Sequence, residues 1–379
     1  MKNLGIYIHI PFCKKKCEYC DFVSFSGTQN MQEEYVEVLN LDIKNSSKLV
    51  SDYEVDTIYF GGGTPSYIES KYILNILKKI KDNYKVAKNA EITIEVNPGT
   101  VDKEKLIAYK EAGINRLSIG LQSTHDRLLE LIGRIHNYDE FLDTYEYAVE
   151  AGFENINVDL MLALPTQTLD EMVSSVRKII SLKPEHISLY SLILEEGTPL
   201  YQKVQTGKLD LTDEKLERHM YWRTKQLLEQ AGYKQYEISN FSKEGYESKH
   251  NMNCWKQNEY LGFGLAAHSY LNDKRFSRIK NIREYIKNIN ENNFDKNIII
   301  EEEQDRESKA KEYMMLGFRK LEGISISEFE RRFGVNPLFY FRFEISKLEK
   351  EGLIEVDLDN IKLTQRGLDL ANLVFEEFV

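Results

Sequence analysis

Three cysteines near the start of the chain have a spacing that suits a metal cluster. Cys13, Cys17 and Cys20 form the pattern C-x3-C-x2-C. Thiolates are favoured ligands of iron–sulfur clusters and of zinc. A [4Fe–4S] cluster is usually held by four cysteines, so three would leave one iron without a protein ligand. That iron would be a place to bind a second molecule and to do chemistry on it.

Zinc is the main alternative occupant of this triplet. A structural zinc site needs four ligands, commonly two C-x2-C pairs, and the fourth cysteine of the chain, Cys254, is far away in sequence. A buried, inert triplet is disfavoured because Lys14, Lys15 and Lys16 make the loop polar, and these lysines are expected to lower the thiol pKa. Crowded thiols in a long chain also indicate a metal in a reducing compartment rather than disulfides. The spacing therefore favours the cluster.

A run of three glycines and several polar residues follow other predicted strands. Gly61-Gly62-Gly63 lets the backbone approach a ligand closely. It is not a phosphate loop, because G-x4-G-K-[S/T] is absent. A tight barrel turn is the alternative, but the position at a strand end beside the cysteine loop favours ligand contact.

Carboxylates inside apolar strands cost free energy unless they are paired or bind a ligand. Glu95, Gln122 and Asp159 lie at or just past strand ends, and Arg134 lies farther along. Ion pairs of the two carboxylates with Arg116 or Arg134 remain an open alternative. Because the ends of parallel strands meet at one rim, these residues are expected to converge around the cysteine loop.

The elements that position these residues form a repeating strand–helix pattern. In the first part of the chain, six segments with the alternating, β-branched pattern of a strand are each followed by a segment with apolar residues at helical spacing. Gly113, Gly152 and Gly232 are predicted helix C-caps. Six such units predict an α/β fold, a partial (β/α)6 barrel. The predicted strands span 4–10, 55–60, 91–96, 116–121, 155–161 and 186–192, and the predicted helices span 31–43, 70–84, 103–112, a stretch up to 150, 169–180 and 212–231.

The remainder of the chain is less regular at first. Residues 233–297 contain the segment His250-Asn-Met-Asn-Cys-Trp255, and the acidic run Glu301–Glu303 predicts a boundary. Beyond it, three helices near 308–321, 327–333 and 338–350, a hairpin at 353–363 and a closing helix to Phe378 are predicted. They indicate a smaller winged-helix-like α+β domain. The predicted division is a barrel core at 1–235, a connecting segment at 236–300 and the C-terminal domain at 301–379.

Composition limits the classes of function. The chain has 379 residues, 42% of them hydrophobic, and a net charge of −11, which argues against non-specific nucleic-acid binding. Residues 301–379 carry 12 Lys and Arg against 18 Asp and Glu, whereas a DNA-reading winged helix should be basic. There is no signal-peptide pattern and no apolar run of about 18 residues. The expectation is a soluble, cytoplasmic protein.

Two histidines lie near aromatic residues, and histidine or cysteine is a common axial ligand of haem. They are His250 and His268. A hydrogen-bonded loop histidine is the alternative for either one. For Cys254, a buried apolar role is the leading interpretation.

Taken together, the motifs resemble the radical S-adenosylmethionine (SAM) superfamily and, over nearly the whole length, the oxygen-independent coproporphyrinogen III oxidase-like family. His250–Trp255 resembles the His-Asn-x-Asn-Tyr-Trp motif of the haem-chaperone branch of that family. The other motifs that carry the resemblance are the cysteine pattern with Tyr19 inside it, Tyr7–Cys13, Gly61–Pro65, Glu95–Pro98, Gly120–Ser123, Val158–Met161 and the C-terminal domain.

The resemblance implies roles for individual residues. Cys13, Cys17 and Cys20 would hold a [4Fe–4S] cluster whose fourth iron is chelated by SAM, and His250 is the candidate for haem. The positions that match SAM contacts of the family are Tyr7, Tyr19, Gly62, Gly63, Thr64, Glu95, Gln122, Arg134 and Asp159.

The resemblance implies two alternative functions. One is a haem chaperone that passes haem to apo-haem proteins such as respiratory enzymes, with a membrane-associated acceptor and a homodimer as further expectations. The other is a radical SAM oxidase of porphyrin biosynthesis that decarboxylates coproporphyrinogen III. The oxidases carry a fourth cysteine where this chain has Phe22, and they carry an arm before the first strand. Both departures favour the chaperone, although Cys254 replaces the motif's Tyr.

Overall fold

The computed structural model describes residues 2–379, and its dominant feature is one sheet of twelve strands in the order β12-β11-β10-β9-β1-β2-β3-β4-β5-β6-β8-β7. Strands β1 to β6 are parallel, and β9 pairs with β1 in parallel on the other side. The strands are β1 (Lys2–Ile10), β2 (Tyr53–Gly62), β3 (Val86–Val96), β4 (Arg116–Gln122), β5 (Ile156–Leu162), β6 (His186–Ser191), β7 (Lys234–Glu237), β8 (Asn240–Ser242), β9 (Tyr260–Phe263), β10 (His268–Leu271), β11 (Lys274–Arg278) and β12 (Ile298–Glu303).

Helices follow the parallel strands and cover their outer face, as a β/α repeat requires. Gly113, Gly152 and Gly232 have φ of 98°, 82° and 88°, which confirms the predicted left-handed C-caps. The helices before residue 304 are α1 (Gln32–Ser46), α2 (Ser70–Asn83), α3 (Lys103–Glu111), α4 (Asp126–Leu131), α5 (Tyr138–Glu150), α6 (Leu169–Leu182), α7 (Pro199–Gln205), α8 (Glu214–Gln230), α9 (Lys249–Trp255) and α10 (Ile282–Asn290).

The two faces of the parallel strands differ in polarity. On β4, Leu117, Ile119 and Leu121 are fully buried among apolar residues, whereas Arg116 and Ser118 alternate with them. Strands covered on both faces normally read as continuously apolar. The inward polar face therefore indicates an interior built for a polar ligand. Because the sheet has free edges at β12 and β7, it does not close, and the predicted partial (β/α)6 barrel is confirmed.

The segment predicted to be less regular, residues 233–297, supplies five strands of the main sheet, β7 to β11. The hairpin between β10 and β11 turns on Asn272 and Asp273, whose φ values are 50° and 63°. Two residues with positive φ are typical of the tight hairpin turn, in which Asn and Asp are favoured. That pair was a usable signal, but strands of three to six residues are too short to show a clear alternation.

The acidic run predicted as a boundary lies in an edge strand. Glu302 and Glu303 of β12 pair with Arg275 and Lys274 of β11, and charged residues suit an exposed sheet edge because they discourage further pairing. The run thus belongs to the main sheet. The three-part division of the chain stays a prediction.

A second apolar core lies in the C-terminal part of the chain. Its helices and its three-stranded sheet, in the order β13-β15-β14, give the predicted winged-helix-like α+β arrangement. The single helix predicted at 338–350 is interrupted at Phe341, whose buried ring packs against Phe329 and Phe378. The elements are α11 (Arg306–Gly317), β13 (Ile324–Ser325), α12 (Ile326–Phe333), α13 (Pro337–Tyr340), α14 (Arg342–Lys350), β14 (Ile354–Val356), β15 (Asn360–Leu363), α15 (Gln365–Asp369) and α16 (Ala371–Glu376).

A buried ion pair joins the first helix to the added strands. The Arg278 guanidinium on β11 donates two hydrogen bonds of 3.0 Å to the Asp42 carboxylate on α1, and the Tyr285 hydroxyl donates a third of 2.8 Å. We expect Asp42→Ala to lower the free energy of unfolding by about 3–5 kcal/mol, because it leaves a buried cation unpaired. Chemical denaturation measures this. Glu291→Ala, which breaks an exposed pair with Lys287, is the control and should change little; equal effects of the two variants would contradict the prediction.

Candidate cluster and cofactor site

A cavity of about 550 Å³ opens at the carboxyl ends of the parallel strands, and eleven of the thirteen predicted site residues line it. Tyr7 and His250 are the two that do not. The eleven are Cys13, Cys17, Tyr19, Cys20, Gly62, Gly63, Thr64, Glu95, Gln122, Arg134 and Asp159. The expected convergence on one rim is thus present in the fold. Cys254 is not part of this cavity.

The cysteine loop is held by backbone hydrogen bonds to its neighbours. The Cys13 N–H donates to the Phe25 carbonyl at 2.9 Å, and the Gly63 N–H donates to the Ile10 carbonyl at 2.9 Å. All cysteines are reduced. Two donors reach the sulfurs, since the Thr64 hydroxyl lies 3.6 Å from Cys13 Sγ and Arg134 Nη1 lies 3.7 Å from Cys17 Sγ.

The surroundings make two of these thiols less acidic. Burial raises the pKa of Cys13, and it raises the pKa of Cys20 to about 11. Lys16 opposes this but is outweighed, so the expected lowering of the thiol pKa by the lysines is not what the structure gives. A bound cation would reverse the balance, because metal binding deprotonates its thiol ligands.

The cysteines fit a cluster by their chemistry. Three free thiols share one cavity, and a hydroxyl and a guanidinium are placed to donate to sulfur, which offsets the charge of bound thiolates. Within residues 2–379, no three His, Cys, Asp or Glu side chains are grouped to share a single metal ion. A cluster makes a different demand, since each thiolate binds its own iron.

The three glycines allow close approaches that a side chain would block. A Cβ on Gly62, which has φ of 112°, would lie 2.6 Å from the His9 ring. A Cβ on Gly63 would lie 3.0 Å from Cys13 Sγ, and one on Gly61 would lie 3.1 Å from Glu95 Oε1. Gly61–Gly63 therefore form a tight turn, and their backbone also packs against Cys13 and Glu95.

Glu95 is a buried carboxylate without a nearby cation. It accepts hydrogen bonds from the Tyr59 hydroxyl at 2.9 Å and from the Gly62 N–H at 3.3 Å. Burial raises its pKa to about 7, and the neighbouring Asp159 adds to the shift. A carboxylate poised this way would be stabilised by a positively charged ligand group, such as an amine.

Arg134 is buried among acceptors rather than carboxylates. It donates to the Asn97 side chain, to the Gly120 carbonyl and to Cys17. Neither Arg134 nor Arg116 makes an ion pair with Glu95 or Asp159 among the residues described, so the alternative of direct pairing is not present. Because neither Glu95 nor Asp159 is paired with an arginine, both carboxylates can interact with a ligand.

Gln122 and Asp159 complete the rim. Gln122 has a positive φ of 72° where β4 and β5 change register, a strained conformation of the kind that clusters at functional sites. Its Oε1 accepts from the Tyr190 hydroxyl at 2.8 Å. Asp159 accepts from Asn157 Nδ2 at 2.7 Å, and burial raises its pKa.

Tyr7 and His250 belong to an aromatic stack behind the cavity wall. The Tyr7 and Tyr59 rings are 6.2 Å apart, and the Tyr59 and His250 rings are 5.2 Å apart. His250 is 7% exposed, and its Nδ1 lies 2.9 Å from Thr57 Oγ1. Burial and then Arg116 lower its pKa to about 4. The imidazole is therefore neutral and hydrogen-bonded in the interior.

The helix α9, which carries the His-Asn-Met-Asn-Cys-Trp motif, packs against the polar interior of the barrel. The N–H groups of Lys249 and His250 each donate to the Glu91 carboxylate at 3.1 Å. Asn251 lines the cavity, and the Trp255 ring lies 4.3 Å from the Arg319 guanidinium. We call α9 the plug helix.

Several lining residues were missed from the sequence. Tyr59, Ser118, Asn157 and Tyr190 contribute to the cavity wall. Each lies on the polar side of a strand that alternates with an apolar side. A systematic search for polar residues on that side would have found them.

Comparison with known proteins agrees with this geometry. The family model described as the radical SAM superfamily matches residues 7–179, and the model described as the HemN C-terminal domain matches residues 304–370. The chain is 38% identical to the haem chaperone HemW of Bacillus subtilis over 98% of both chains. It is 34% identical to HemW of Escherichia coli over 99% of this chain and 98% of that one.

Solved structures confirm the fold. The coproporphyrinogen III oxidase HemN of Escherichia coli, described as a radical SAM enzyme, superposes with a TM-score of 0.87 at 23% identity, covering 100% of this chain and 90% of that one. No helix within residues 2–379 is both long and apolar enough to cross a membrane. Both HemW relatives match nearly the full length at more than 30% identity, and the chain therefore belongs to the radical SAM superfamily and, within it, to the HemW haem chaperone family.

Proposed function

We propose that the chain is a haem chaperone that binds haem and passes it to apo-haem proteins such as respiratory enzymes. The observation that carries the proposal is its similarity to HemW proteins over 98% of both chains. The reduced cysteines and buried polar groups of one cavity support it. Membrane-associated acceptors and a homodimer belong to the same proposal.

The cavity would hold two cofactors. Cys13, Cys17 and Cys20 would bind a [4Fe–4S] cluster, and SAM would occupy the iron that lacks a protein ligand. The bound cluster would supply redox chemistry at that iron. Glu95 would accept a hydrogen bond from an amino group, and Arg134 would steady the Cys17 thiolate through its contact with Sγ.

The other residues predicted to contact SAM would line the proposed site, and hydrogen bonds fix the positions of several of their side chains. Thr64 donates toward Cys13, and Tyr190 fixes the Gln122 side chain. Asp159 is held by Asn157. The remaining proposed SAM residues are Tyr7, Tyr19, Gly62 and Gly63.

Haem would lie at the mouth of the cavity. Three apolar side chains surround this mouth, and we call them the apolar rim: Phe22, Leu192 and Ile193. Phe22 is 58% and Ile193 is 70% exposed, and both line the opening. Exposed apolar surface beside a pocket is typical of a ligand-binding surface. Lys15 and Lys16 lie at the same opening and would attract one haem propionate.

A cluster assay tests the proposed metal site. In anaerobically reconstituted protein we expect about four iron atoms per chain and the absorbance of an iron–sulfur cluster. Cys17→Ser should lose both, because it removes a thiolate ligand, whereas Cys254→Ser, outside the cavity, should keep them. An unchanged iron content and spectrum in Cys17→Ser would show that the metal site is assigned wrongly.

A haem titration tests the apolar rim. The double variant Phe22→Ala, Ile193→Ala should bind haem about tenfold more weakly or worse, because burying one such side chain is worth about 1.5 kcal/mol or more. The matched control is Phe339→Ala, Phe343→Ala, which removes two exposed aromatic rings outside the cavity. Equal affinities of the two double variants would reject the rim. The proposed function itself fails if the unaltered protein shows no saturable haem binding.

The same titration of His250→Ala examines the second proposed haem residue. Since the imidazole is buried and bonded to Thr57, its loss from a structural position would lower the unfolding free energy. Loss of saturable haem binding with unchanged stability would instead assign haem to His250.

An activity assay separates the chaperone from the oxidase alternative. Reduced protein, reconstituted with its cluster, should form no protoporphyrinogen IX from coproporphyrinogen III and SAM. The reason is that Phe22 replaces the fourth cysteine of the oxidases. Chromatography of the porphyrins measures the product, and formation of one or more equivalents per chain would overturn the preference for a chaperone.

A further inference from the structure

Arg116 is a buried cation that faces the cavity without a partner. It is 2% exposed and lines the cavity from the first position of β4. Throughout residues 2–379, no side chain or carbonyl makes a hydrogen bond or an ion pair within 4.0 Å with its guanidinium. Its Nε is fully buried and unsatisfied.

Three other arginines near the core have a partner for at least part of the guanidinium, although the Nε atoms of Arg134 and Arg319 are also buried and unsatisfied. Arg278 is bound bidentately by Asp42, and Arg134 has three acceptors. Arg319 lies over the Trp255 ring. A buried charge without a partner costs free energy. The lack of a partner for Arg116 therefore indicates that a bound ligand supplies the opposite charge.

The register of the strands fixes the depth of Arg116. Ser118 pairs with Glu95, and Arg116 pairs with Thr93, two residues earlier on both strands. At about 3.3 Å per residue, Arg116 starts roughly 7 Å below Glu95. The Arg116 side chain therefore enters the cavity from its deep part, below the level of Glu95.

Neutral polar side chains line the same cavity. Asn251, on the plug helix, lines it and makes no side-chain hydrogen bond, so its amide is free to donate. Asn240 already donates its Nδ2 to Glu237 and leaves only the acceptor Oδ1 without a partner. Ser239 also lines the cavity, and Ser188 lines it at the level of Asp159. One guanidinium with amides and hydroxyls around it can surround a small anionic group with donors.

We propose that Arg116 binds an alkyl carboxylate in the deep part of this cavity, with Asn251 as a second donor. A monoanion fits better than a phosphate because Glu95 and Asp159 line the same cavity and Arg116 is a single charge. The planar guanidinium matches a carboxylate through two parallel hydrogen bonds. The proposal rests on the proposed function, which supplies one such group in a haem propionate that extends inward from the mouth of the cavity. The carboxylate of SAM, which the proposed site holds at the cluster iron, is the competing source that the test must separate.

Binding measurements on the full chain, reconstituted with its cluster, test the proposal with three probes: haem, haem dimethyl ester and SAM. For Arg116→Met we expect affinity for one carboxylate ligand to fall at least about tenfold, the loss of a charge-assisted hydrogen bond. Arg116→Lys should retain part of it. Arg218→Gln, an exposed arginine on α8, is the control and should match the unaltered protein.

The probes separate the sources of the carboxylate. A loss for haem but not for its dimethyl ester assigns Arg116 to a propionate, and a loss for SAM alone assigns it to SAM. Unchanged affinity for both haem and SAM overturns the proposal. If the unaltered protein binds SAM but no haem, the proposed function fails while the SAM measurement still decides the role of Arg116.

Stability measurements distinguish ligand binding from a structural role. Arg116→Met should unfold at the same denaturant concentration as the unaltered protein, or at a higher one, because it removes an unpaired buried charge. A clear loss of stability together with unchanged ligand affinities would show that Arg116 supports the fold instead. Asn251→Ala should weaken the same ligand as Arg116→Met, and weakening a different one would contradict the shared site.

Discussion

The structure depends on one constraint: the inward face of a parallel sheet is polar, yet it is removed from bulk water. Buried polar groups must find partners, and buried charges cost more still. The chain meets part of this demand internally, through contacts such as Tyr59 with Glu95 and Asn157 with Asp159. Arg116, Arg134 and Asn240 each keep a buried polar atom without a partner, and all three residues line one cavity. These atoms indicate which groups a ligand could bring.

The same constraint explains the glycines at the end of β2. The cysteine loop and the carboxylate of β3 lie against the same backbone. A methyl group at Gly61 or Gly63 would press against Glu95 Oε1 at 3.1 Å or Cys13 Sγ at 3.0 Å and would displace it. Conformational freedom at these residues costs entropy on folding. In return, the glycine backbone has no side chains, so Cys13 and Glu95 can both pack directly against it.

Sequence reasoning predicted the barrel and most of its rim because both follow local rules. Strand alternation, C-cap glycines and motifs at strand ends are visible within a few residues of each other, as Gly113 and Gly62 illustrate. The strands β7 to β12 were missed because they are short and their pairing partners are distant in sequence. The interior position of His250 and the isolation of Arg116 depend on which side chains meet across the sheet, and no local pattern encodes that.

The plug helix has a consequence for how such proteins can be recombined. Seven residues of helix span about 10 Å, and within that length Asn251 reaches the cavity while Trp255 lies against Arg319 of the C-terminal part. Barrel and C-terminal part therefore share one component. A chimera of two relatives that is joined between β8 and α9 would pair a cavity floor from one parent with a barrel from the other. Because β9 to β12 also belong to the main sheet, exchange of an intact barrel requires a junction beyond β12.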